Sequence, residues 1–296
     1  MATLNDLWSQ IQRFFPLNKR SILLLVVLLG FLLWGGFRAC SSDISFDENR
    51  VFKIARDPTW YPLNLMGKEK SLLAFTNDLI LSIGNKENLR IELINSTADT
   101  LFKDLQDHDH DAIISSLMPT SSNRQQFNFS DPLYLIGPVL IVPSDSNVTS
   151  IKEMDGKSVG IKRGANSLYD VHEYKIYYVP YDSMTIAFDD LNRDRIDGVL
   201  LPILQAYTYT QTFYTGRIKI VTPPLTREGI RLIAIKNQAS DFFIDKFNKG
   251  LKASKEDGTT DRLLAKWGLV SSVVNDTLIP QPSQPPEMTE SKPDVE

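Results

Sequence analysis

From Val51 onward, short apolar runs alternate with amphipathic stretches, and the alternation reads as a succession of strands and helices. Residues 51–55 have the length of a strand, 72–83 carry helical spacing, 90–94 read as a second strand, and a helix follows that ends near Gln106. Residues 112–117 continue as a buried strand, and 137–142 add another with β-branched residues at its end. This βαβα rhythm predicts an α/β domain.

A second segment of the same kind follows. Residues 158–161 and 177–179 read as strands, 184–192 as a helix, and 198–201 as a strand. The run 225–235 resembles a strand that returns to the first lobe, and 241–267 supply one or two closing helices. The predicted organisation is therefore a first lobe from 51–140 with 225–270, and a second lobe from 141–224. From Ser271 the composition shifts to Pro, Ser and acid, with Pro280, Pro282, Pro285 and Pro286 close together, so 271–296 are expected to be a disordered tail.

The N-terminal part has a different pattern. After Lys19 and Arg20, residues 21–37 hold no charge, long enough to nearly span a bilayer, and the basic residues before them favour a cytoplasmic N-terminus. The chain's one cysteine, Cys40, lies just past this run. Residues 1–40 are thus either an uncleaved signal anchor or a lipoprotein signal with Cys40 as the lipidation candidate, although Arg38 departs from the usual small-residue context. Residues 41–50 read as a short polar linker. Either version predicts a domain held on the extracytoplasmic side of a cell membrane.

Composition narrows the partners. Of 296 residues, 42% are hydrophobic and 23% charged, which is ordinary for globular protein and enough for two cores. A net charge of -4 without a Lys/Arg cluster argues against nucleic acid as the main partner. One cysteine allows neither an intramolecular disulfide nor a cysteine-based zinc motif.

Four stretches carry more specific information: Asp57-Pro58-Thr59-Trp60-Tyr61-Pro62, Asp111-Ala112-Ile113-Ile114-Ser115-Ser116-Leu117, Phe129-Ser130-Asp131-Pro132-Leu133-Tyr134, and Asp257-Gly258-Thr259 with Lys266-Trp267-Gly268. In order and spacing they resemble the family 3 solute-binding proteins, the polar amino-acid receptors of bacterial ABC importers. The resemblance implies a two-lobed α/β fold of the type II periplasmic-binding-protein kind, with two crossing strands expected near 139–144 and 220–225. It also implies a ligand held between the lobes, an ABC permease as partner, and no cofactor.

Such receptors hold an amino acid by an Arg on its carboxylate, an Asp on its ammonium and an aromatic wall. Carried over residue by residue, the resemblance assigns the wall to Trp60 and the preceding acid to Asp57, with Ser115 and Ser116 as hydroxyl and backbone contacts and Thr120 as a further ligand candidate. An ungapped register puts Asn123 at the Arg position, and a shift of one residue brings Arg124 there as anion ligand. In the second lobe Asn166 and Ser167 occupy the anion-binding loop, while Pro202 stands where the ammonium-binding Asp is expected. Lys162 and Arg163 flank that loop as alternative sources of charge or as plain surface residues.

These departures leave three outcomes open: an anionic or modified solute, an amino acid held by substituted residues, or an interaction domain that has lost its ligand. A cleft enzyme of the dehydratase type is the rival from another class, and Pro202 removes one carboxylate it would need. His108 and His110 have the spacing of a metal pair or of a solvated turn, and His172 stands alone.

Overall fold

A computed structural model of the chain describes residues 50–165 and 174–271. The apolar run 21–37, Cys40, most of the linker, Asn166, Ser167, His172 and residues 272–296 lie outside the described residues. Among the described residues, no helix is long and apolar enough to cross a membrane.

Strands β1 (Val51–Arg56), β2 (Arg90–Asn95), β3 (Ala112–Ser115), β4 (Phe127–Phe129), β5 (Tyr134–Leu135) and β11 (Gly229–Ile235) build the first sheet. Its order is β2-β1-β3-β11-β4, with β5 also on β11. β1 runs parallel to both neighbours, whereas β11 is antiparallel to β3. Helices α1 (Glu69–Lys86) and α2 (Leu101–Gln106) connect the parallel strands, and a single turn, α3 (Asn123–Gln126), precedes β4.

The reason α1 forms where it does is its stripe of Leu72, Phe75, Leu79, Ile80 and Ile83, all fully buried, at the three- and four-residue spacing of one helix face. Long helix α6 (Gln238–Glu256) is started by Asn237, whose side chain accepts from the Ser240 amide at 2.9 Å. It packs so closely on α1 that a Cβ at Gly250 would stand 2.8 Å from Ile83 Cγ2. On the other face of the sheet, Ala55, Ile113, Phe127 and Ile233 meet Leu101 and Leu105 of α2.

The second sheet has the order β10-β6-β9-β7-β8, from β6 (Pro138–Pro143), β7 (Ser158–Lys162), β8 (Tyr177–Tyr181), β9 (Gly198–Pro202) and β10 (Ile218–Ile220). Its helices are α4 (Met184–Leu191) and α5 (Ile203–Thr208), and Leu140, Val142, Met154, Val159, Ile161 and Leu200 form a core of its own. Two mixed sheets, each with its helices, make the two-lobed α/β architecture expected from the sequence.

The chain leaves the first sheet at Ile136–Gly137 and comes back through 221–228. These passages touch: Leu225 N donates to Pro138 O at 2.7 Å, Ile136 N to Glu228 O at 2.9 Å, and a Cβ at Gly137 would lie 2.4 Å from Thr226 Oγ1. Only glycine permits that approach. The expected strand over 225–235 therefore begins later, at Gly229, because 225–228 are spent on the crossing. The strand expected to reach Leu117 stops at Ser115, where the serine Oγ takes the Leu117 amide at 3.2 Å and draws it off the ladder.

The closing motif has a structural role. Lys266 Nζ and Trp267 Nε1 both reach Asp78 Oδ2, at 2.7 and 2.9 Å, which fastens α7 (Thr259–Lys266) to α1.

Candidate functional site

Parallel strands present their carboxyl ends on one edge of a sheet, and the loops that leave those ends enclose ligands. Here the loops after β1, β2 and β3 enclose a cleft of about 340 Å³ whose lining includes Asp57, Trp60, Tyr61, Asp99, Phe102, Ser115 and Ser116. Four of the residues singled out from the sequence, Asp57, Trp60, Ser115 and Ser116, are brought together there.

Their environments differ from what their types suggest. Trp60 is 4% exposed, and its indole Nε1 donates to the Glu69 carbonyl at 3.1 Å, so most of the ring is packing. Its φ of 60° lies in the left-handed region. The next residue, Tyr61, is 75% exposed and offers the aromatic surface at the cleft mouth. Asp57 is 7% exposed and its carboxylate is already engaged: Thr59 donates to Oδ1 from its amide at 2.9 Å and from its hydroxyl at 2.7 Å. Asp99, which the sequence reading passed over, supplies a second carboxylate from the loop after β2. Its position just past a parallel strand end is a signal that could have found it.

Thr120 and Arg124 fall elsewhere. Thr120 Oγ1 accepts from the Asn123 amide at 3.2 Å and starts α3. Arg124 is exposed, donates from Nε to the Pro119 carbonyl at 3.0 Å, and holds its guanidinium 5.8 Å from the Phe129 ring centroid. With Phe129, Lys236 and Asp241 it lines a separate depression of about 250 Å³. Asn123, in the ungapped Arg register, donates to the Met118 carbonyl at 2.7 Å.

In the second lobe, Pro202 ends β9 and opens α5, a role its fixed φ suits. Lys162 and Arg163 behave as surface charges. Lys162 Nζ donates to the Asp182 carbonyl, and Arg163 grips the Asp182 carboxylate at 2.6 and 3.3 Å. The hydrogen bond with Asp182 raises the Arg163 pKa, and the same bond lowers that of Asp182. Among the described residues, contacts between the lobes include Gln205 Nε2, which donates to the Asn64 carbonyl at 3.1 Å, and Lys68 Nζ, 5.7 Å from the Tyr207 ring centroid.

His108 and His110 line a different depression, with Arg50, Asp111 and the start of α6. His110 Nε2 is 3.9 Å from Asp104 Oδ2, and no cluster of three or more metal-ligating side chains occurs among the described residues.

Comparison with known proteins agrees with this architecture. Residues 52–270 match the family model for bacterial extracellular solute-binding proteins, family 3. The chain is 23% identical over 258 residues to the arginine-binding extracellular protein ArtP of Bacillus subtilis, covering 85% of this chain and 98% of that one. It is 26% identical over 215 residues to ABC transporter arginine-binding protein 1 of Escherichia coli, covering 71% and 87%. Among solved structures, the unliganded open L-cystine solute receptor of Neisseria gonorrhoeae superposes with a TM-score of 0.59 at 21% identity, over 76% of this chain and 95% of that one. Substrate binding domain 2 of Lactococcus lactis GlnP, also open, gives 0.51 at 18%, over 73% and 94%. These are binding proteins by name and lend the dehydratase-type alternative no support. The match along residues 52–270 makes this chain a member of the bacterial extracellular solute-binding proteins of family 3.

Proposed function

We propose that the chain is the extracytoplasmic receptor of an ABC importer and captures an amino acid, or a closely related carboxylate-bearing solute, between its lobes. The observation that carries this reading is the convergence of Asp57, Tyr61, Asp99, Ser115 and Ser116 on one cleft at the carboxyl ends of β1, β2 and β3. Its volume of about 340 Å³ falls within the rough 300–1,000 Å³ of small-molecule sites. The names of the arginine-binding relatives, and of a histidine-binding periplasmic protein of Escherichia coli at 27% identity over 185 residues, support the class of solute.

In this reading, the lobes expected at 51–140 with 225–270 and at 141–224 are the two jaws, with 138–140 moved to the second because β6 pairs with β9; the touching passages at Gly137 and Thr226 are the hinge, and Gln205 with Asn64 marks where the jaws meet. Asn166 and Ser167, which lie outside the described residues, are the second lobe's ligand candidates in this reading. The apolar run 21–37 and Cys40 tether the receptor, as an uncleaved helix or through lipid on the cysteine. Cys40→Ser releases the protein from the membrane fraction if lipid is the tether, and its retention points to the helix.

The test is a melting series of the purified protein with L-arginine, L-histidine, L-glutamine and L-cystine. A solute at a hundred times its Kd adds roughly 2.7 kcal/mol, a rise of about 5–10 °C for a chain of this size. Absence of a shift with every amino acid would overturn the proposal.

A further inference from the structure

Arg231 lies in the middle of β11, a strand otherwise made of Gly, Ile, Leu and Ala, and it is only 5% exposed. The antiparallel register sets it directly opposite Ser115. Directly opposed residues share a face of the sheet, so Arg231 stands beside the serine that lines the cleft.

Its guanidinium is poorly accommodated by the protein alone. Nη2 donates to the Arg227 carbonyl at 2.6 Å, while Nε is buried and has no hydrogen-bond partner among the described residues. No carboxylate forms an ion pair with it among those residues. The charges acting on it are Arg124 and Arg227, which oppose its own charge, and Asp131, which favours it. Burial, and after it the repulsion from Arg124, push its pKa down to about 10. A buried cation with an unused donor and a surplus of like charge is costly, and a bound anion removes that cost.

We propose that Arg231 is the residue of this cleft that receives the solute's carboxylate, in place of Arg124. The proposal rests on the reading of the chain as a solute receptor and names the group that fixes the solute's orientation in it. A planar guanidinium offers paired N–H donors to two carboxylate oxygens, and the residue it faces across the strand pair, Ser115, lines the cleft.

The experiment compares the purified full-length protein with its Arg231→Met and Arg231→Lys variants. Each is titrated calorimetrically with L-arginine, L-histidine and L-glutamine and with the carboxamide of each. For whichever amino acid binds the wild type, the carboxamide is expected to bind roughly tenfold weaker or worse, and Arg231→Met to lose a similar factor, with Arg231→Lys between. Unliganded Arg231→Met should melt no lower than the wild type, because it removes an uncompensated buried charge. Wild-type affinity in Arg231→Met overturns the proposal and leaves the receptor reading intact. Equal affinity of acid and carboxamide for the wild type overturns it even where Arg231→Met fails to fold. If no amino acid binds the wild type, the receptor reading fails and this inference with it.

Discussion

The indole Nε1 of Trp60 donates to the backbone carbonyl of Glu69 at 3.1 Å, tying the loop after β1 to the first turn of α1. An aromatic residue that the sequence motif offers as a ligand wall is thus largely a clamp that holds the wall in place. Trp60→Phe is expected to cost about 1 kcal/mol for the lost hydrogen bond, and Trp60→Ala about 3–5 kcal/mol for the lost packing. Urea denaturation measures both, and equal stabilities of the two variants would rule out the clamp.

Tyr61 separates binding from stability. Because its ring is 75% exposed at the cleft mouth, Tyr61→Ala should leave the melting temperature of the unliganded protein unchanged. Solute affinity should fall about tenfold, the loss expected of one aromatic contact. Calorimetric titration with the amino acid that binds the wild type decides it, and an unaltered Kd would assign Tyr61 no part in capture.

Gly250 sets two effects against each other. Alanine gains about 1 kcal/mol over glycine in a helix interior, yet its Cβ would come within 2.8 Å of both Ile83 Cγ2 and Glu87 Cγ. Glu87 can swing aside, but Ile83 is fully buried, so the crowding is expected to win by about 1–2 kcal/mol. Chemical denaturation of Gly250→Ala should show a net loss. A stabilised variant would mean that α1 and α6 separate at little cost.

Asp78 should govern part of the acid response. The Lys266 hydrogen bond is the main reason its pKa lies below the usual carboxylate value, with Trp267 adding to it and burial opposing. A carboxyl depressed by folding contributes its full stability above the ordinary carboxylate range and loses it as pH falls through the lower native value. Asp78→Asn is expected to reduce stability at neutral pH and to flatten the decline on the acid side. Melting series over roughly pH 3 to 7 test this. A constant offset between the two proteins across that range would show that the pair contributes nothing to the pH dependence.

The sequence by itself was enough for the architecture. Alternating apolar runs located β1, β2, β7, β8 and β9 to within a residue or two, and the spacing from Leu72 to Ile83 located α1, because these features depend on near neighbours. The motifs at Asp57 and Ser115 pointed to the cleft for a related reason: loops at the carboxyl ends of parallel strands converge whatever their detail. Side-chain direction was settled by tertiary structure alone. Trp60 is buried while Tyr61 is exposed at the same cleft, and the single turn of α3 leaves Arg124 lining a separate depression. Arg231 reads in sequence as one charge within an apolar strand. Its place opposite Ser115 follows from a pairing between strands distant along the chain, which is fixed by the burial of both sheet faces together and leaves no local trace.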